Sequence, residues 1–529
     1  LAYKTDIYAW APLDRQWIFI DAASGNILEK RDRIRYITVP GEAQCFYHGL
    51  QTIHVDSVAP IQFLLRDNSR ADGIITLDLN GSSNIANAVD FVDTDNFWDT
   101  TTDFDHAAYD AHWATGLMFD YMLAEHNWNS YDNQGSAIRS YIHHSNNFNA
   151  AWTGTEVIYG DGDGTNFTPF TAAEVVGHEV MHAYSTSMFD FNFSNTETIA
   201  LNEAYSDIFS VIVEHSISPS TANYILGDMI TVNGQGVRSL ENPNAFNHPD
   251  TYQGQFWNNA NINGMAGVLN FCFYLLTQGG SGVNDNGDAY QVDALPMDEV
   301  ADILFRSLSV YMTPNVDFAD FRTWGIQSCI DLYGTCSEQE IQFTNACYAV
   351  GLGAAFEEPP TTEIQFSADP DVNEAIQFTS NASGAISWAW DFGDNSTSIE
   401  EMPLYIYQAI GTFEVVLMAT YANGCVSSDT ITIDISNTTS LQNIQLPDFT
   451  LFPNPASAYL RVEFSQPIEI DQVRVLNTLG QSMPSLQMQH ISTTQLQLGL
   501  NELPIGVYIL ELQTVQGFAF YRKFYRLSP

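Results

Sequence analysis

The chain alternates between stretches with the two-residue period of β-strands and stretches with the longer period of helices. Residues 1–36 predict two short strands with a turn at 24–26, and residues 37–100 predict further strands separated by Gly and Asn turns. A helix is predicted over 104–126, where apolar residues recur at helical spacing. Long apolar helices are predicted at 265–277, 297–312 and 317–333. The pattern indicates a strand-rich part followed by a helix-rich part.

Beyond this region only strand patterns remain. A run rich in Glu, Pro and Thr at 357–362 marks a domain boundary, and residues 363–436 predict an immunoglobulin-like β-sandwich. A second linker is predicted near 437–446, followed by more short strands to the end of the sequence. The predicted fold class is therefore α+β, with two C-terminal β-sandwich domains after the mixed region.

Acidic residues greatly outnumber basic ones in this chain. With 63 Asp and Glu against 17 Lys and Arg, the formal net charge is −46. This charge argues against nucleic acid and anionic membranes as partners and suits an extracellular protein. No apolar run approaches the ~20 residues of a membrane span, so no span is predicted. No signal peptide is visible before the strands, and we interpret the sequence as a processed or truncated form.

The six cysteines are too sparse for a disulfide scaffold and lack zinc-ribbon spacing. Cys329 and Cys336 flank a predicted helix end, so a local bridge is one interpretation if the compartment is oxidising. Buried free thiols are the alternative, and the sequence leaves both open.

The motif His-Glu-x-x-His at 178–182 is the strongest chemical signal. Residues four apart share a helix face, so His178 and His182 can bind one metal ion together. Glu179 is rotated to one side, near enough to act on a water at the metal without being a ligand. The alternative is a chance match in which two histidines lie on a helix surface.

A second helical stretch at 201–209 supplies carboxylates. Glu203 and Asp207 are also four residues apart and share a face. Two histidines and Glu203 leave the fourth tetrahedral position open for water, as a catalytic zinc requires. Asp207 is predicted to lie behind the ligands and to fix the tautomer of a histidine. An exposed face with two acids is the alternative, which the apolar flanking residues disfavour.

Four segments then resemble thermolysin-like zinc metallopeptidases (gluzincins) over roughly residues 40–352: VIYGDGDGTNFTPF, VVGHEVMH, LNEAYSDIF and VRSLENP. The resemblance implies a two-lobed catalytic domain, with a β-rich lobe carrying the metal helix at 39–185 and a helical lobe at 186–356. It implies that His178, His182 and Glu203 bind zinc and that Glu179 is the general base. The segment WIFIDAASGNILEKRDRI resembles the end of a propeptide of this family, so residues 1–38 are predicted to be a propeptide remnant, with an ordinary edge hairpin as the alternative.

The resemblance also implies substrate contacts. Asn149 and Ala150 match the edge-strand residues that hold the substrate backbone, and Arg238 matches the arginine that binds a substrate carbonyl. An edge strand beside the metal helix suits strand addition by an extended peptide.

Calcium is a further implied cofactor. Glu174, Glu214 and Asp228 fall near the acidic positions of a family calcium site at the junction of the lobes. Oxygen ligands suit calcium, but Asn223 stands where one family acid is expected.

The chain departs from the family where a second catalytic histidine is expected. Asn263 stands at that position, Asn258 at the acid that orients the histidine, and Phe193 or Ser194 near a tyrosine with the same task. These family groups stabilise the oxyanion, and losing one such donor typically costs about 10²–10³ in rate. Asn263 is predicted to donate through its amide instead. His248 is a further candidate from a nearby loop, although its register does not match.

The C-terminal third resembles two known modules. WAWDFGDNS at 388–396 resembles a PKD domain, predicted over 361–437. The segments FTLFPNPASAYLRVEF and LPIGVYILELQ resemble the C-terminal sorting domain of the type IX secretion system of Bacteroidetes, predicted over 445–529. The second resemblance implies export to the cell surface or beyond.

Two functions remain open from the sequence. The first is a secreted zinc metalloendopeptidase that uses a zinc-activated water and Glu179, with Zn²⁺ and Ca²⁺ as cofactors. Its partners would be a protein or peptide substrate, its own propeptide and the type IX machinery. The alternative is a zinc-binding, catalytically impaired homologue that acts in adhesion or binding, which Asn258, Asn263 and Phe193 favour.

Overall fold

We describe a computed structural model of the chain. The structure describes residues 2–10, 13–32, 37–59, 61–100, 102–145, 148–189, 191–367, 370–437, 448–484, 486–515 and 517–528. The chain divides into two compact units, residues 1–358 and 359–529. The predicted linker near 437–446 lies, except for residue 437, outside the described residues. No helix in the described ranges is long and apolar enough to cross a membrane.

The first unit begins with an antiparallel sheet of three strands, β1 (Ala2–Trp10), β2 (Leu13–Asp21) and β3 (Ile27–Asp32). The prediction of two strands here was wrong, because the turn at 22–26 joins β2 to a third strand. The Asp21 carboxylate stabilises that turn by accepting from the backbone N–H groups of Ala23 and Ser24. Charged residues at 29–32 hide the alternating pattern of β3 in the sequence.

Two sheets and a long helix form the rest of the β-rich lobe. The strands are β4 (Ile37–Gln44), β5 (Leu50–Ala59), β6 (Gln62–Leu64), β7 (Arg66–Asp67), β8 (Ile74–Asp78), β9 (Val89–Asp90), β10 (Val92–Asp93), β11 (Phe97–Trp98), β12 (Ile138–Ile142), β13 (Ala150–Trp152) and β14 (Val157–Tyr159). One sheet has the order β10-β6-β5-β4-β11 and the other β13-β14-β12-β8-β7, with β9 paired to β8. Helix α1 (Asp105–His126) packs on both, and its small buried alanines permit close approach.

Helix α2 (Ala173–Met188), which carries the His-Glu-x-x-His motif, follows the strands of the β-rich lobe. The helices of the helical lobe are α3 (Thr196–Ile217), α4 (Ile262–Met265), α5 (Gly267–Gln278), α6 (Met297–Arg306), α7 (Phe318–Tyr333) and α8 (Glu338–Ala349). Two small hairpins accompany them, β15 (Ile225–Leu226) with β16 (Arg238–Ser239), and β17 (Gly280–Val283) with β18 (Ala289–Val292). A π-helical turn at Ser307–Tyr311 extends α6. The predicted 265–277 helix is α5, preceded by the short α4.

A single hydrophobic core joins the β-rich and helical parts of the first unit. Helices α2 and α3 lie at its centre, with Val176, Val180, Leu201 and Ile208 fully buried. The thiols of Cys45, Cys272, Cys329 and Cys347 are free and buried. A Cys329–Cys336 bridge is therefore not formed, because Cys329 lies in the core, where burial raises the pKa of its thiol.

The second unit contains two β-sandwiches. The first consists of β19 (Ile364–Phe366), β20 (Ala375–Ser380), β21 (Ser387–Asp391), β22 (Thr397–Ser398), β23 (Leu404–Ile406), β24 (Gly411–Thr420) and β25 (Val426–Ile435), in sheets β19-β20-β23 and β22-β21-β24-β25. The second consists of β26 (Phe449–Phe452), β27 (Tyr459–Phe464), β28 (Ile470–Asn477), β29 (Met488–Ser492), β30 (Gln495–Gly499), β31 (Gly506–Thr514) and β32 (Ala519–Arg526), in sheets β26-β27-β30-β29 and β28-β31-β32. Each encloses its own apolar core, so the predicted α+β class with terminal β-sandwiches is confirmed.

Candidate metal centre

Helices α2 and α3 bring the predicted metal ligands together. His178 and His182 lie on one face of α2, and Glu203 faces them from α3. The helices approach closely at Gly177, where an added Cβ would lie 3.1 Å from the Cβ of Ser210. One ligand atom from each of the three residues lies within 4.8 Å of the others. Among the described residues this is the one group of three or more His, Cys, Asp or Glu side chains that meets this distance.

The spacing of the donor atoms fits a single zinc ion. The two histidine Nε2 atoms lie 3.1 Å apart, and each lies 3.5 Å from a carboxylate oxygen of Glu203. Tetrahedral zinc with ligand bonds of about 2.0–2.1 Å requires ligand atoms to be separated by ~3.3 Å. Glu203 Oε2 is buried and accepts no hydrogen bond within the described part of the chain. The donor set and this unpaired oxygen therefore both suit Zn²⁺.

Asp207 organises the side of the site behind His178. Its fully buried carboxylate lies 2.8 Å from His178 Nδ1 and accepts two hydrogen bonds from Arg238, at 2.7 and 3.0 Å. Asn270 Nδ2, on α5, donates a further hydrogen bond of 2.8 Å. Burial raises the pKa of Asp207, but Arg238 and His178 outweigh it and hold that pKa well below its usual range. Asp207 is therefore a charged acceptor that orients both side chains.

The electrostatics of the ligand set favour positive charge between the helices. Burial lowers the pKa of His178, but Asp207 and Glu203 outweigh it and raise that pKa to about 10. Burial raises the pKa of Glu203, but the two histidines and Arg238 outweigh it and lower that pKa to about 2. The carboxylates of Glu203 and Asp207 therefore favour positive charge at this point, which a protonated His178 or a bound cation can supply.

Two further residues support His182 and were not found by sequence reasoning. Asn202 Nδ2 lies 2.9 Å and Ser206 Oγ 3.0 Å from His182 Nδ1. When Nε2 binds a metal, Nδ1 carries the proton of the neutral imidazole and donates a hydrogen bond, which Ser206 Oγ can accept. Asn202 and Ser206 lie one and three residues from Glu203 on α3, so helical spacing could have predicted that they lie near the metal ligands. Asn270 gives no such signal, because it lies 63 residues from Asp207.

Glu179 is tied to the edge strand β13. Its Oε2 accepts a hydrogen bond of 2.9 Å from the backbone N–H of Trp152, whose indole donates to Thr186 on α2. Strand β13 pairs with β14 on one side and ends the described sheet. Asn149 is exposed immediately before this strand, and Ala150 lies within it. The structure therefore places the predicted substrate-binding residues next to the predicted base.

Comparison with known proteins agrees with this arrangement. Residues 41–186 match the thermolysin metallopeptidase catalytic domain, and residues 190–352 match its alpha-helical domain. Bacillolysin of Bacillus caldolyticus is 33% identical over 376 residues, which cover 66% of this chain and 67% of that protein. The chain belongs to the thermolysin-like metallopeptidase family.

The remaining matches describe the extent of this likeness. Bacillolysin of Brevibacillus brevis is 33% identical over 364 residues, covering 66% of this chain and 64% of that protein. The thermostable neutral protease NprT of Geobacillus stearothermophilus is 34% identical, covering 66% of each chain. The chain thus spans just under two thirds of the length of these two relatives. Residues 357–436 match a PKD domain and residues 450–525 a secretion system C-terminal sorting domain, so the predicted family assignments are confirmed.

The positions at which this chain departs from the thermolysin-like pattern lie on exposed segments. Asn258 and Asn263 are both exposed, and neither side chain has a hydrogen bond to another described residue. Phe193 is 52% exposed and its ring lies beside that of Phe191. The predicted catalytic part of Asn263 stays a prediction, because no contact joins it to the ligand set.

The three acids predicted for calcium act on one another electrostatically. Glu174 is buried and neither of its oxygens has a hydrogen-bond partner within the described residues. Burial, followed by the charge of Glu214, raises the pKa of Glu174 to about 8. Burial and the charge of Asp228 raise the pKa of Glu214 to about 7. Asn223 donates a hydrogen bond of 2.9 Å to Asp228, so the residue that replaces a family acid faces this group.

Proposed function

We propose that the chain is a secreted zinc-dependent metalloendopeptidase that hydrolyses peptide bonds in proteins or peptides. The observation that carries this proposal is the convergence of His178, His182 and Glu203, with Glu179 held beside them. When bound, zinc supplies a Lewis acid that polarises a carbonyl and lowers the pKa of water to about 7. Family membership supports the same assignment.

Glu179 is the proposed general base. Its carboxylate takes a proton from the attacking water and passes it to the leaving amine. The hydrogen bond from the backbone N–H of Trp152 fixes Oε2 of Glu179, and Oε1 is proposed as the oxygen that takes the proton. A general base accelerates the reaction mainly by being held close to the reacting atoms, and this hydrogen bond restrains the carboxylate of Glu179.

Substrate binding is assigned to strand β13 and Arg238. An extended peptide adds to the edge formed by β13, with Asn149 and Ala150 holding its backbone. Asp207 fixes the plane of the Arg238 guanidinium through two hydrogen bonds. The remaining N–H groups are proposed to donate to a substrate carbonyl. These residues contact the substrate backbone, so other residues must determine which substrate side chains are preferred.

We propose a structural calcium ion held by Glu174, Glu214 and Asp228. Three acids with two raised pKa values and two unpaired buried oxygens suit a divalent cation with oxygen ligands. Added Ca²⁺ is expected to raise the melting temperature of the parent chain. Glu174→Gln should weaken that response, whereas Glu125→Gln, on the exposed face of α1, should not. Equal responses in both variants would contradict the assignment.

The termini suggest how the enzyme reaches its substrates. The match of residues 450–525 to a sorting domain supports export to the cell surface or beyond by the type IX machinery. Residues 1–38 are proposed as a propeptide remnant, and the domain boundaries at 185, 356, 361, 437 and 445 stay predictions.

The test is turnover of casein and of a quenched peptide by zinc-loaded protein. Cleavage should stop when a zinc chelator removes the metal and return when Zn²⁺ is restored. Glu179→Gln should bind zinc but not cleave. Absence of cleavage by the fully loaded parent chain would overturn the proposal.

A zinc-binding homologue with little hydrolysis is the second candidate. The exposure of Asn258 and Asn263, without bonds to the ligand set, is the observation that favours it. In that case zinc should bind tightly and raise the melting temperature while peptide turnover stays at background. Adhesion or binding would then be the remaining activity of the chain.

A further inference from the structure

His248 packs into a notch made by two glycines in α4 and α5. A Cβ added to Gly264 would lie 2.6 Å from Cδ2 and 3.1 Å from Nε2 of the His248 ring. A Cβ added to Gly267 would lie 3.3 Å from Cβ of His248 and 2.6 Å from the carbonyl oxygen of Pro249. The ring therefore lies against the short helix that carries Asn263, one residue from the position at which the family has its histidine.

The surroundings of His248 include the charged groups behind the metal ligands. The ring is partly buried and lies beside Phe246, with ring centroids 6.4 Å apart. Burial and the positive charge of Arg238 lower the pKa of His248, while the charge of Asp207 opposes them. The imidazole is therefore neutral near pH 7 and carries one N–H donor. It lies within electrostatic range of the Arg238–Asp207 pair.

We propose that His248 supplies the hydrogen-bond donor for the oxyanion that the family resemblance assigns to position 263. The inference rests on the proposed peptidase function. Attack by water places negative charge on the carbonyl oxygen of the substrate, and a hydrogen-bond donor held in place stabilises that charge. His248 would take this role in place of the expected histidine. Histidine reaches this region from the loop before α4 because Gly264 leaves room for its ring.

The first experiment compares His248→Ala with the parent chain. Loss of a donor to the oxyanion should lower kcat by about 10²–10³-fold while KM and zinc content change little. His248→Gln, which keeps an N–H donor, should retain more activity than His248→Ala. Asn247→Gly is the matched control, because it alters an exposed residue of the same loop that already has a positive φ of 59°.

The notch itself provides a second test. Gly264→Ala places a methyl group where the His248 ring lies, so it should displace the ring and lower kcat in the same direction. In a His248→Ala background the added methyl group has no ring to displace, and kcat should not fall further. A fall of equal size in both backgrounds would show that Gly264 acts independently of His248 and would count against the inference.

Inhibitor binding provides a readout that a structural effect does not reproduce. A peptide phosphonate, which imitates the tetrahedral oxyanion, should bind His248→Ala about 10²-fold more weakly than the parent. A thiol-containing peptide, which has no such oxygens, should bind both equally. If the parent cleaves and His248→Ala keeps its kcat and phosphonate affinity, only this inference is overturned. If the parent does not cleave, the proposed function fails and this inference fails with it.

Discussion

The metal-ligand cluster and the segment at 258–263 differ sharply in burial and bonding. The cluster consists of His178, His182, Glu203 and Asp207, which are largely buried and tied to neighbours on α2, α3 and α5. In the segment at 258–263, Asn258 and Asn263 are exposed and bind no other described side chain.

This difference separates a buried ligand set, in which hydrogen bonds and charges constrain each residue, from exposed positions that carry no such constraint. Charged groups in the cluster cannot be changed singly, because a buried charge without its partner is strongly destabilising. An exposed polar residue carries no such constraint, so the donor positions can change without loss of fold. The following predictions test this separation, from the largest expected effect to the smallest.

Glu179→Gln should have the largest effect on activity. A glutamine cannot accept the proton of the attacking water, so kcat should fall by about 10²–10⁴-fold. Zinc content should be unchanged, because Glu179 is not a ligand. Glu125→Gln serves as the control and should leave kcat unaltered. If Glu179→Gln keeps activity near the parent level, Glu179 is not the general base.

Asp207→Asn should weaken both stability and metal binding. The change leaves the guanidinium of Arg238 buried without its counter-charge, which is expected to cost about 3–5 kcal/mol of unfolding free energy. Loss of the acceptor at His178 Nδ1 should lower zinc affinity by about 10–100-fold. Urea unfolding and zinc competition measure the two effects.

The matched control is Asp120→Asn, because Asp120 pairs with Arg70 on the surface and is 53% exposed. Its loss should cost no more than about 1 kcal/mol. Equal stability losses in the two variants would contradict the importance that we give to burial at Asp207.

His143 and its carboxylate partners predict a pH dependence of stability in a third region. Its Nδ1 lies 2.8 Å from Asp161, and its Nε2 lies 3.5 Å from Asp105. Burial lowers the pKa of His143, but these carboxylates outweigh it and raise that pKa to about 9. Because the folded pKa exceeds the unfolded value, the stabilisation is complete below about pH 6.5 and is lost as pH rises through 9.

The unfolding free energy of the parent should therefore exceed that of His143→Gln at pH 6, by an amount on the order of 3 kcal/mol. The difference should vanish above about pH 10. A difference that stays constant from pH 6 to pH 10 would show that packing, and not the charge of His143, stabilises this region.

Asn263→Ala should have the smallest effect. The side chain is exposed and has no hydrogen bond to another described residue, so unfolding free energy should change by less than about 0.5 kcal/mol. The rate should fall well short of the 10²–10³-fold expected for an oxyanion donor. A hundredfold loss of kcat in this variant would assign the oxyanion donor to Asn263 and contradict its assignment to His248.

Several features were predictable because they depend on local spacing. The i, i+4 pairs His178/His182 and Glu203/Asp207 predict shared helix faces, and α2 and α3 contain both pairs. The α1 and α7 helices follow the predicted ranges 104–126 and 317–333 closely. The turn at 24–26 was predicted, but strand β3 after it was missed, because a charged edge strand has no apolar alternation to detect.

Other features depend on residues that are distant in sequence. Asn270 reaches Asp207 across 63 positions, and His248 reaches the notch at Gly264 from a separate loop. Single-chain periodicity contains no information about which helices approach, since close approach depends on the packing of α3 against α4 and α5.

The sequence alone determined the family and the order of its modules, and it predicted the metal ligands and the base, because each depends on residue type at short spacing. The tertiary structure decided how the site is supported. It joins Asp207 to His178, Arg238 and Asn270, ties Glu179 to β13, and brings His248 beside the segment in which the expected histidine is missing. These relations arise only when separate helices pack together, since packing sets distances that no local pattern encodes.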